Sequence, residues 1–158
     1  MAGRIQAEIR QNKPVGSVEE EVYLNLQRTA NALSQPLAEL LRGHDLTPAQ
    51  YNVLRILRGA GDDGLTASDI GGRMISRDPD ITRLVDRLEK RGLVERRRCS
   101  QDRRVVWTRI SEGGRALIDP LDTSMDEMHR AMLAHMPLER MRMLVELLEE
   151  ARDGAPAA

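Results

Sequence analysis

Arg83, Arg87 and Lys90 recur at intervals of four and three residues, and seven arginines follow soon after: Arg91, Arg96, Arg97, Arg98, Arg103, Arg104 and Arg109. A guanidinium presents a planar fork of donors that fits phosphate oxygens and the O6/N7 edge of guanine. The chemistry available to such a set is recognition of a polyanion rather than bond making. From Thr66 to Ile110 the chain holds twelve Arg/Lys against seven Asp/Glu, while the remainder holds twelve against eighteen. The overall charge of −1 therefore conceals one basic unit in an acidic surround, which points to a local footprint rather than a generally adhesive surface. Of the 24 basic residues only Lys13 and Lys90 are lysine. A GC-rich coding bias would favour arginine, but it would not concentrate the charge in one segment.

The elements that carry these residues are legible. Ile81, Leu84, Val85 and Leu88 have the i, i+3, i+4, i+7 spacing of a buried helical stripe. At about 100° per residue, Arg83, Asp86, Arg87 and Lys90 fall on the opposite face. This helix is expected from Pro79 to Arg91, capped by Asp78 and closed by Gly92 as its C′ residue. A short helix from Thr66 to about Ile75 precedes it across a tight turn. Val94–Arg98 and Arg103–Ile110 read as a hairpin, with Arg96 and Arg98 on one face and Arg97 on the other. Val106 and Ile110 share the inward parity, and Trp107 falls outward.

Upstream, Ser17-Val18-Glu19-Glu20 has the form of a capping box opening a long helix to about Arg42, which Pro36 should kink or split. Thr47-Pro48-Ala49-Gln50 starts another, to about Arg58. Downstream, Ser111 caps a long helix interrupted at Pro120 and ending near Met136. A last helix runs from Leu138 to about Arg152.

A helix, a turn, a second helix and a basic hairpin together read as a helix-turn-helix with a wing. In that arrangement the second helix enters the major groove of duplex DNA. Thr82, Arg83 and Arg87 would reach base edges, with arginine favouring guanine. Asp80 and Asp86 would either orient the arginines or accept from cytosine amines. Ser76 and Arg77, at the turn, are candidates for phosphate contact. Lys90, Arg96, Arg98, Asp102, Arg103 and Arg104 complete the expected DNA-binding set.

Residues 46–114 resemble the multiple-antibiotic-resistance regulator (MarR) family. The similarity is carried by Leu46-Thr47-Pro48-Ala49-Gln50-Tyr51, by Thr82-Arg83-Leu84-Val85-Asp86-Arg87-Leu88-Glu89 and by Arg91-Gly92-Leu93-Val94. The most specific stretches are Asp102-Arg103-Arg104 and Ile110-Ser111-Glu112-Gly113-Gly114, and helices of suitable length extend the match to about residues 18–152. The stretch Ile75-Ser76-Arg77-Asp78-Pro79-Asp80 is more acidic than the family pattern. The resemblance implies a homodimeric winged-helix regulator, usually a repressor, on a pseudo-palindromic operator. It also implies that Arg104 enters the minor groove from the wing tip with Asp102 holding it, and that a small aromatic or phenolic acid serves as effector. It assigns the dimer to the first and last two helices. Leu26, the stripe Met125, Met128, Met132 and Met136, and then Met141, Leu144 and Leu148 provide an apolar surface for that contact.

The expected fold is mainly α with a small β-hairpin wing. Residues 46–111 form the DNA-binding domain, 18–45 and 112–152 the dimerisation helices, and 1–17 and 153–158 flexible ends. With no phenylalanine and only Tyr23, Tyr51 and Trp107 as aromatics, the core must be aliphatic. Cys99 is the sole cysteine, so no internal disulfide can form, and a reducing, cytoplasmic setting fits. No apolar run approaches the roughly 20 residues of a membrane span. No catalytic constellation, cofactor loop or metal-ligand spacing is present: His44, His129 and His135 form no i, i+4 pair. The competing readings are a winged helix serving as an oxidant sensor through Cys99, as a metal sensor, or as a protein-interaction module.

Overall fold

Five side-chain caps set most of the helix starts. Ser17, Thr47, Thr66, Asp80 and Ser111 each accept from the backbone N–H three residues on, giving helices α2 (Val18–Arg42), α3 (Pro48–Ala60), α4 (Ala67–Arg73), α5 (Ile81–Lys90) and α6 (Glu112–Ile118). The Thr47–Gln50 and Thr66–Asp69 caps are full reciprocal boxes. A short helix α1 (Arg4–Glu8) precedes them, and α7 (Leu121–Leu133) and α8 (Leu138–Asp153) follow. Strands β1 (Val94–Arg98) and β2 (Val106–Ile110) form an antiparallel hairpin with Val94 opposite Ile110 and Arg98 opposite Val106. The computed structural model describes residues 4–76, 80–100, 102 and 104–154. The chain divides into two units, Met1–Asp122 and Thr123–Ala158.

The core of the first unit is aliphatic, as the composition requires. Val53, Leu54 and Leu57 of α3, Ile70 of α4 and Leu84, Val85 and Leu88 of α5 are buried with Val94, Ile110 and Ile118. The α5 stripe is thus the one its spacing indicated, with Ile81 only half-buried. Gly92 closes α5 at φ +71°, where its N–H donates to the Glu89 carbonyl (2.8 Å) and that of Leu93 to the Leu88 carbonyl (3.0 Å).

Four features depart from the expectations. Pro36 does not split α2, which runs unbroken to Arg42. The carbonyl it deprives of a donor belongs to Ala32, on an exposed stretch where water can serve. Residues 4–8 of the supposed flexible end are helical, with Ile5 only 1% exposed and Glu8 paired to Arg28 of α2 at 3.1 Å. The cap of α5 is Asp80 rather than Asp78, which lies with Pro79 outside the described residues, so the helix starts later. Lastly, Leu65 exchanges two 2.8 Å backbone hydrogen bonds with Thr108, extending the hairpin by an isolated bridge.

The seat of α6 explains the Ser-x-x-Gly sequence at residues 111–114. Ser111 donates its hydroxyl to the Gly92 carbonyl (2.6 Å) and its N–H to the Leu93 carbonyl (3.1 Å). A Cβ on Gly114 would stand 2.2 Å from that Leu93 oxygen and 2.8 Å from Ile110 Cγ1. Backbone cannot yield as a flexible side chain can, so α6 would have to lift away. We expect Gly114→Ala to destabilise the fold by about 2–3 kcal/mol in denaturant melts; an unchanged midpoint would contradict this packing.

Candidate nucleic-acid interface

On α5, Thr82, Arg83, Arg87 and Lys90 are exposed, opposite the buried stripe. Asp80 both caps the helix, accepting from the Arg83 N–H at 3.1 Å, and holds the Arg83 guanidinium through Nε at 3.0 Å. Of the two alternatives left open for Asp80, arginine orientation is the one with a bond. Arg87 and Lys90 have no carboxylate partner among the described residues. Ser76 is exposed at the turn; Arg77 and Arg103 lie outside the described residues.

The wing distributes its arginines unevenly. Val94, Arg96 and Arg98 share a face with Thr108 and Ile110, which are buried, so this face looks inward toward α5. Arg96 accordingly reaches the recognition helix. Its Nη1 donates to Asp86 at 2.7 Å, and its Nε and Nη2 donate to Glu89, Nε at 2.9 Å. These bonds, with Glu89 the larger contributor, raise the guanidinium pKa above its ordinary value and keep the charge fixed. Arg96 and Asp86, both expected among the DNA-contacting side chains, are thus engaged with each other. The charge on Arg96 is paired with two carboxylates of α5 at the surface.

The opposite face carries Arg97 beside Trp107, and Glu95 paired with Arg109 at 2.7 Å. These residues, with Asp62 and Asp63, line a shallow cleft of about 260 Å³. Exposed Arg97 and Arg98 have no ionic partner among the described residues. Arg97 was not among the expected DNA contacts, although its outward parity and the inward parity of Arg96 were readable from buried Val94.

At the wing tip, Asp102 accepts a hydrogen bond from the Arg104 backbone N–H at 2.9 Å, and the Val105 N–H donates to the Asp102 carbonyl at 3.0 Å. Asp102 therefore shapes the turn from which Arg104 projects; the bond is to main chain and not to the guanidinium. The Arg104 side chain is exposed. Among the described residues no group of three or more His, Cys, Asp or Glu is placed to hold a metal ion.

This geometry coincides with sequence similarity. A family model described as MarR family matches residues 46–106. A relative from Bacillus subtilis named as an uncharacterized HTH-type transcriptional regulator, YsmB, is 31% identical over 121 residues, covering 77% of this chain and 81% of its own length. The chain belongs to the MarR family. A second relative, the homoprotocatechuate degradative operon repressor of Escherichia coli, is 28% identical over 131 residues, 83% of this chain and 87% of that one. The crystal structure of a MarR transcription factor from Planctomyces limnophilus is 35% identical, covering 84% of this chain and 96% of that chain at a TM-score of 0.67. These relatives are named as a repressor, a transcriptional regulator and a transcription factor, not as enzymes. Among the described residues no helix is long and apolar enough to cross a membrane.

Proposed function

We propose that this MarR-family regulator binds duplex DNA sequence-specifically as a homodimer and represses transcription from a pseudo-palindromic operator. The observation that carries the reading is the exposed pair Arg87 and Lys90 on α5, without a carboxylate partner among the described residues, beside Asp80-held Arg83 and flanked by Arg97, Arg98 and Arg104 of the wing. Thr82, Arg83 and Arg87 are assigned to base edges, and Ser76, Lys90 and Arg98 to phosphates. Arg104 is assigned to the minor groove, where a narrow A·T-rich stretch concentrates negative potential. Asp86 and Arg96 become positioning residues rather than contacts. A gel shift with duplex DNA against double-stranded RNA of the same sequence tests the reading. The narrow RNA major groove excludes a helix, so only the DNA should shift at low micromolar protein; equal shifts would refute it.

The dimer belongs to the same proposal. In the single chain α8 has no buried residue, and Leu138, Met143, Leu144, Val145 and Leu147 are exposed on it. Val18, Val22, Tyr23, Leu26 and Leu33 are exposed on α2. Of the expected interface residues, Leu26 and Leu144 are exposed, and Met128, Met132, Met136, Met141 and Leu148 half-buried. Met125 is only 5% exposed within the chain, so it has little surface left for a partner. As effector class we retain a small aromatic or phenolic acid, in keeping with the pathway for which the E. coli relative is named.

The Asp102 bond separates two accounts of the wing tip. If the carboxylate acts by shaping the turn, Asn can replace it, because its side-chain oxygen accepts the same N–H. Asp102→Asn should then bind operator at least as tightly as wild type, having shed a charge that repels phosphate. Asp102→Ala should bind about three- to tenfold more weakly, despite losing the same charge. Fluorescence anisotropy on one operator at fixed salt decides it; equal tightening by both substitutions would show that only charge matters.

A further inference from the structure

Arg58, in the last turn of α3, grips both sides of the break between α6 and α7. Its Nη1 donates to Asp119 Oδ1 at 2.8 Å and its Nη2 to Asp122 Oδ1 at 2.9 Å. Asp119 is the C-cap of α6 and Asp122 stands in the first turn of α7, with Pro120 between them. The helical ladder is interrupted there: Pro120 has no N–H to give, and the Asp122 N–H meets the Asp119 carbonyl at a long 3.3 Å. Asp119 is also badly placed for its own helix, since a carboxylate at a C-terminus faces the negative end of the macrodipole. The bond to Arg58, 61 residues away in the chain, compensates it. The Arg58 side chain is 25% exposed, the least of any ion-pair member among the described residues. Buried Leu121 anchors the same turn of α7 from its apolar side.

We propose that Arg58 is a positioning residue that fixes the corner at which the chain leaves the DNA-binding core, and thereby sets the half-site spacing the dimer accepts. The inference rests on the DNA-binding and dimer readings above and deepens them. Arg58, Asp119 and Asp122 all lie in the first unit, of which Asp122 is the last residue. Beyond the clamp the chain carries Met128, Met132, Leu144 and Val145, which the dimer reading assigns to the partner contact. A proline-broken corner can bend, and one planar fork bonded to a carboxylate on each side of the break removes that freedom. Inserting one base pair between half-sites moves them apart by about 3.4 Å and turns one against the other by about 35°. A dimer with fixed corners cannot follow that change; one with loosened corners can.

The test uses the operator recovered from a random duplex pool, with one base pair inserted or removed between its half-sites. Wild-type protein should lose about thirtyfold or more in affinity on either variant, because one half-site is then poorly engaged. Arg58→Met should lose about threefold or less, while its base preferences within each half-site and its salt slope stay at the wild-type values. Asp119→Asn with Asp122→Asn removes the same bridge from its other side, and should relax the spacing to the same degree. The two changes combined with Arg58→Met should relax it no further. Thermal melts check folding, and the double asparagine variant, which keeps the side-chain shapes, carries the test if Arg58→Met is unstable. Wild-type spacing discrimination in the variants overturns the proposal, as does a reduced salt slope in Arg58→Met, which would make Arg58 a phosphate contact. A wild type that sediments as a monomer overturns the dimer reading with it, and binding to no duplex overturns the DNA-binding reading beneath both.

Discussion

Arg96→Met should weaken operator binding by about thirtyfold while leaving the salt dependence of binding unchanged. The guanidinium ties β1 to α5 through Asp86 and Glu89, and its side chain is 29% exposed against 41% and 39% for the two acids. Methionine keeps the apolar stem but cannot bridge the two carboxylates, so the wing loses its tether to the recognition helix. A loss of about thirtyfold corresponds to about 2 kcal/mol in affinity, assigned to the unpositioned wing rather than to the exposed ion pair itself. Arg96→Lys should recover only part of the loss, because an ammonium cannot serve both carboxylates with the fork geometry. The readout is a salt titration. A direct phosphate contact would lower the slope by about one counterion per subunit on mutation; a tether would not. A reduced slope would return Arg96 to the set of DNA contacts.

The second large effect concerns assembly. Leu144 and Val145 are 37% and 53% exposed on α8, a helix with no buried residue of its own. A stable subunit contact covers on the order of 1,000 Å² or more and tolerates no unpaired charge at its centre. Two-fold symmetry places each substitution in the interface twice. Leu144→Glu with Val145→Glu should therefore dissociate or unfold the dimer at micromolar concentration and weaken operator binding by about a hundredfold or more, since one subunit holds one half-site. Sedimentation velocity reads the mass and anisotropy the affinity. A variant that remains dimeric, or a wild type that sediments as a stable monomer, would remove α8 from the interface.

The parts of the fold set by local chemistry were legible in the chain. Caps at Ser17, Thr47, Thr66 and Ser111, the stop at Gly92 and the buried stripe of α5 all follow from neighbours within a few residues. What depended on distant partners was less so. Leu65 meets Thr108, and one buried isoleucine, Ile5, anchors an otherwise polar terminus. Neither leaves a periodic mark. In the site, the exposed face of α5 could be read from periodicity, but the carboxylate partners of Arg96 could not be read from a count of arginines. Counting arginines treats every cation as free, whereas inward parity with Val94 and the i, i+3 pair Asp86 and Glu89 dictate an internal bridge. For Asp102 the family resemblance implied a hold on Arg104, and the bond present is to the Arg104 backbone N–H.

The central claim is that two symmetry-related α5 helices read one duplex through Arg83 and Arg87. Selection of wild-type protein on random duplexes, followed by hydroxyl-radical footprinting of the recovered sequence, tests it most directly. The account predicts an inverted repeat whose half-site centres lie about 10 base pairs apart or a multiple of that, protected symmetrically, with the preference at one position of each half-site relaxed in Arg87→Ala. Recovery of unrelated sequences, or a footprint covering a single asymmetric site with unchanged preferences in Arg87→Ala, would contradict it.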